Sequence, residues 1–86
     1  THMTDKPKRD AAVDAFAAEI KKRLDDRESR GYTGWTGEYP SRSLCKEIEL
    51  DVMELSAVPE QAIKAVDIGA RAMMLYYRTV NGVFQR

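Results

Sequence analysis

PEQAIKAVDIGARAMMLYYRTVN, residues 59–81, holds one internal breaker, Gly69, and otherwise reads as a single helix. Ile63, Val66, Ala70, Met73, Met74, Tyr77 and Val80 recur at helical spacing and form one apolar face. Pro59 with Glu60 suits a helix start, and Asn81-Gly82 a helix stop. Gly69 costs about 1 kcal/mol of helix propensity against Ala, but it lets another helix approach closely. A single acid, Asp67, stands at the edge of the apolar stripe, beside Lys64, Arg71 and Arg78.

Upstream, Ala57-Val58-Pro59 ends a second helical pattern that begins near Ser41 or Ser43. Leu44, Cys45, Ile48, Val52 and Leu55 fill its apolar sector, which predicts a buried Cys45 thiol. Glu47, Asp51 and Glu54 line up on the adjacent sector, with Leu50 and Met53 beyond them. Three acids in a row repel unless a cation or a basic partner sits against them; a solvent-exposed charged strip is the alternative. Residues 31–42, GYTGWTGEYPSR, hold three glycines and a proline and form a loop whose Trp35 either seals the core or stacks on a planar ligand.

A further helix is expected from about Asp10 to Arg30, with Val13, Phe16, Ala17, Ile20 and Leu24 as its stripe. Gly31 should supply its left-handed cap. Lys21, Lys22, Arg23, Asp25, Asp26 and Arg27 read as a solvated, mixed-charge region near its end. Thr1-His2-Met3 reads as a vector scar, residues up to 9 as a disordered N-terminus, residues 10–82 as one helical domain and residues 83–86 as a short tail. The fold class is therefore all-α: a three-helix unit that completes a helical bundle by dimerisation, because the Met- and Tyr-rich third helix offers more apolar surface than two neighbours cover.

Composition narrows the chemistry. Lysine plus arginine and aspartate plus glutamate balance at 14 each, which gives no strong nucleic-acid signal. One cysteine allows no internal disulfide and no cysteine zinc cage. The single histidine is His2, so the domain itself has no imidazole for catalysis or metal ligation. With neither a membrane span nor a signal peptide in the sequence, a cytoplasmic protein is expected.

Two arrangements are open to Asp67. It can pair with Lys64 and Arg71 on its own helix. Alternatively, antiparallel packing brings it opposite Asp51 and Glu54, where carboxylates from facing helices could hold Mg²⁺.

Thr33-Gly34-Trp35, then Asp51-Val52-Met53-Glu54-Leu55, then Lys64-Ala65-Val66-Asp67 followed by Ala72-Met73-Met74 resemble the MazG-like all-α nucleoside triphosphate pyrophosphohydrolases, in particular their short phage-type members. The likeness covers about half of the chain, from Gly31 to Met74. It implies Mg²⁺ held by Asp51, Glu54 and Asp67, and water attack between the α and β phosphorus atoms of a nucleotide. The chain departs from the pattern: Asp51 replaces a Glu, Ala70 a common Asn, Arg71 a frequent aromatic and Lys64 the first Glu of the second motif. One carboxylate is lost and positive charge gained, which weakens attraction for Mg²⁺. The expectation is a nucleotide or phosphate binder with weak or lost pyrophosphohydrolase activity, no catalytic residue assigned, and Lys64, Arg71 and Trp35 as ligand-binding residues. The alternative is a non-catalytic regulator or defence inhibitor that acts on a protein partner. A homodimer is expected under both.

Overall fold

The computed structural model describes residues 5–32, 35–36 and 40–82. These form three helices, α1 (Asp5–Ser29), α2 (Ser41–Ala57) and α3 (Ala62–Val80), with no strand among the described residues. The all-α expectation holds. No helix among the described residues is long and apolar enough to cross a membrane.

The helix ends show where local sequence acts. Gly31 takes φ +90°, its N–H bonds to the Glu28 carbonyl at 3.0 Å, and the Tyr32 N–H reaches the Arg27 carbonyl at 3.1 Å. That pair of bonds is a Schellman closure, which needs the left-handed residue that glycine supplies cheaply. Tyr32 is thereby folded back beside the last turn of α1. At the other end α1 starts at Asp5, not near Asp10. Pro7 is tolerated because a first-turn N–H has no intrahelical partner, so residues 5–9, expected to be disordered, are helical. Helix α3 begins at Ala62, after a turn through Pro59 and Glu60.

Helix α3 lies in the middle. Helix α2 packs antiparallel to it, Ser41 meeting Arg78 at one end and Glu54 meeting Lys64 at the other. Helix α1 packs on α3 alone and does not pack on α2. The core is small: Leu44, Val66, Ala70 and Met74 are buried. Cys45 is exposed, against the expectation of a buried thiol. It sits about 100° around the helix from Leu44, and that rotation carries it off the α3 contact. Val52 is exposed for the same reason.

No residue of α1 is fully buried, and Val13 (60% exposed) and Phe16 (40%) remain open to solvent. Its seat on α3 is Gly69. A Cβ added there would overlap Phe16 Cζ and lie 3.0 Å from Ile20 Cδ1. The close approach expected of Gly69 is thus made by α1. Replacing Gly69 by Val should push the Phe16 ring aside and lower stability by about 1–2 kcal/mol, a fall in Tm on the order of 5–10 °C, read by thermal unfolding followed by circular dichroism.

Candidate functional site

The charged side chains expected on one edge of α3 divide between its two neighbours. Lys64, Arg71 and Arg78 are spaced by seven residues and face α2. Asp67, rotated about 60° from Lys64 around the helix, faces α1. Its carboxylate is buried and held by two guanidiniums from that helix. Arg23 Nε donates to Oδ1 at 2.9 Å and its Nη2 to Oδ2 at 3.5 Å. Arg27 Nη2 stands 3.1 Å from Oδ1. The hydrogen bond to Asp67 raises the Arg23 pKa above its ordinary value, against the opposing effect of partial desolvation.

The acids of α2 find partners on α3. Arg71 Nε donates to Glu47 Oε2 at 2.8 Å, and its Nη1 donates to Asp51 Oδ2. Lys64 Nζ pairs with Glu54 Oε2 and lies 3.8 Å from Asp51 Oδ1. The hydrogen bond to Glu54 raises the Lys64 pKa, so the ammonium is charged throughout the neutral range. Four acids (Glu47, Asp51, Glu54, Asp67) thus meet four cations (Arg23, Arg27, Lys64, Arg71). The exposed-strip reading of the α2 acids gives way to interhelical pairing, and Asp67 pairs with neither Lys64 nor Arg71.

Asp51 and Glu54 therefore come together at Lys64, while Asp67 is turned to α1. Among the described residues no three histidine, cysteine, aspartate or glutamate side chains form a group that could hold a metal ion. As they stand, the donors do not fit Mg²⁺: a hard cation needs several oxygens aimed at a shared centre, and here ammonium and guanidinium groups lie against those oxygens.

A second feature follows from the helix arrangement. Because α1 and α2 both lean on α3 without packing together, a groove of about 760 Å³ opens between them. Lys21, Leu24, Asp25, Arg27 and Glu28 of α1 form one wall, Ser43 and Glu47 of α2 the other, and Arg71 and Met74 of α3 the floor. Tyr32, Trp35 and Thr36 border it. The Trp35 ring meets Tyr77 edge-on, with centroids 5.0 Å apart at 66°, and its backbone carbonyl accepts a hydrogen bond from Arg78 Nε at 3.0 Å. Arg78, 1% exposed, also donates from Nη1 to the Ser41 hydroxyl at 3.1 Å. Of the expected ligand-binding residues, Trp35 and Arg71 border the groove, whereas Lys64 does not line it and is engaged by Glu54 and Asp51. Thr33 and Gly34 of the loop motif lie outside the described residues, as does Tyr39.

Arg23 and Arg27 are the residues that sequence reasoning passed over as solvated. The available signal was register: Phe16, Ile20, Arg23 and Arg27 fall at i, i+4, i+7 and i+11, so the apolar stripe seated on Gly69 continues into two arginines. No protein-family model, curated protein or solved structure matches the chain.

Asp67→Asn removes the charge that both arginines meet. Removing one partner of a buried pair costs about 3–5 kcal/mol, and the partial exposure of the two guanidiniums brings the expected loss to roughly 1–3 kcal/mol. Amide hydrogen exchange should show α1 losing protection while α2 and α3 largely retain theirs.

Proposed function

We propose that the protein is a MazG-like helical binder of a nucleotide or nucleotide-like phosphate ligand, with Mg²⁺-dependent pyrophosphohydrolase activity weak or lost. The observation that carries this reading is the groove between α1 and α2, which Tyr32, Trp35, Arg27 and Arg71 all border, together with the acids Asp25, Glu28 and Glu47. A planar base gains stacking contact from aromatic rings, and a phosphate gains charge-assisted hydrogen bonds from guanidinium forks. The groove volume falls within the range of small-ligand sites. The cations lying against Asp51, Glu54 and Asp67 support the loss of metal-assisted chemistry. Asp51 and Asp67 then serve as counter-ions that hold Arg71, Arg23 and Arg27 in place.

The chain has one tryptophan, and it borders the groove, so its fluorescence reports occupancy directly. A panel of ribo- and deoxyribonucleoside triphosphates should change Trp35 emission saturably, equally well with EDTA or with Mg²⁺, and pyrophosphate should not accumulate. No response to any nucleotide under either condition overturns the binding reading. Pyrophosphate release that depends on Mg²⁺ restores the enzyme.

Exposed apolar side chains support a homodimer as the working form. Val13 and Phe16 on α1, with Ile63, Tyr76 and Val80 on α3, stay open in the single chain, and an 86-residue chain with so small a core gains from burying them against a second copy. Light scattering on the eluting protein should give twice the 9.8 kDa chain mass, and Val13→Glu should return it to a monomer. A protein partner on the same faces is the competing reading, favoured if the chain is monomeric at all concentrations.

A further inference from the structure

Beside the large groove lies a smaller pocket of about 190 Å³, lined by Arg23, Arg27, Arg30, Arg71 and Tyr32. Two of these arginines, Arg27 and Arg71, and Tyr32 also border the groove, so the two spaces share a wall. Among the described residues no carboxylate lines the small pocket. Its arginines are paired with carboxylates: Asp67 with Arg23 and Arg27, Asp26 with Arg30 at 3.2 Å and with Arg23 at 3.9 Å, and Glu47 and Asp51 with Arg71.

A guanidinium carries five N–H donors in a rigid fork and has no acceptor. Among the described residues Arg27 meets one carboxylate and Arg30 one, which leaves donors on both forks for another acceptor. Three of the four arginines come from the last turns of α1 and its close, and Arg27 and Arg30 sit where the helix dipole is negative and steadies their charge. The Gly31 closure folds Tyr32 back onto this end, where it lines the pocket. Four cationic forks lining a space with no acid among its described residues form an arrangement that an oxyanion with several oxygens would satisfy.

We propose that this four-arginine pocket is a metal-independent binding site for a phosphoryl or pyrophosphoryl group. The proposal rests on the reading of the groove for its biological ligand, since a nucleotide seated on Trp35 would place its phosphates across the shared wall at Arg27 and Arg71. The site itself does not depend on that base.

Inorganic pyrophosphate and orthophosphate are the probes for the small pocket alone, in EDTA, with sodium chloride matched for ionic strength. An uncharged nucleoside probes the groove alone, and a nucleoside triphosphate probes both. Titration calorimetry should show pyrophosphate binding without metal. Arg30→Gln, at a largely exposed position, should weaken it about tenfold with Tm unchanged, as removal of one charge-assisted contact predicts. Arg27→Gln should weaken it as much or more. Pyrophosphate binding with no Trp35 response to any nucleotide upholds the arginine site and removes the groove reading. A nucleotide response that pyrophosphate does not compete and Arg30→Gln does not weaken overturns the arginine site and leaves the groove reading intact. Absence of pyrophosphate binding at millimolar concentration in EDTA, or equal binding by Arg30→Gln and the parent, overturns the proposal. Binding that requires Mg²⁺ overturns it as well.

Discussion

A buried carboxylate held by two arginines from another helix decides how this fold is assembled. Helix α1 contributes no fully buried side chain, so apolar area alone gives it a weak grip on α3. What fixes it is the contact of Phe16 and Ile20 over Gly69 and, further along the same stripe, the pairing of Arg23 and Arg27 with Asp67. Burial of an ionised carboxylate is costly unless it is paired and hydrogen-bonded. Asp67 therefore does little to hold α1 by attraction alone. It penalises every arrangement in which α1 is elsewhere. The groove exists only because α1 is held in this pose, so a charge pair shapes the cavity.

The other wall is held the same way. Lys64, Arg71 and Arg78 recur every seven residues and meet α2 along its length, with Glu54, Asp51, Glu47 and Ser41 as their partners. A strict seven-residue spacing drifts only about 20° per repeat on a straight helix, so three cations can stay on one seam. Arg78 adds a function at the end of that seam. It is buried, and by donating to the Trp35 carbonyl it ties the loop to the helix pair. The position of the indole is thus set from its backbone by a guanidinium and from its ring by Tyr77. A lysine at 78 could not reproduce the forked donation to a carbonyl and a hydroxyl.

How far the sequence disclosed this differs by kind of signal. Periodicity and breakers placed all three helices, because both act within one segment: the stripe from Ile63 to Val80 and the Gly31 stop are local facts of backbone and side-chain spacing. The site was only partly legible. Trp35 and Arg71 do border the groove, and the α2 acids do meet a basic partner. Asp67 could not be placed, since its wheel position sits between two seams and a rotation of about 60° decides which helix it faces. Arg23 and Arg27 were hidden by their neighbours. Amid Lys21, Lys22, Asp25 and Asp26 they look like part of a solvated run, and only the identity of the helix seated on Gly69 separates the two that turn inward. Cys45 shows the same limit on α2, where one residue of rotation moves an apolar-looking position from core to surface.

Charge balance ties the structural account to the chemistry. A set of facing carboxylates becomes a metal site when nothing else neutralises it; matched by cations, the same carboxylates become scaffolding for those cations. Lys64 brings an ammonium to both Asp51 and Glu54. Arg71 does the same between Glu47 and Asp51, and Arg23 and Arg27 do so at Asp67. Once each acid is satisfied by the protein itself, the groups with donors still to offer are the arginines, whose forks exceed the oxygens that their own carboxylates present. The region thereby presents N–H donors, and the natural complement of such donors is an anion of several oxygens.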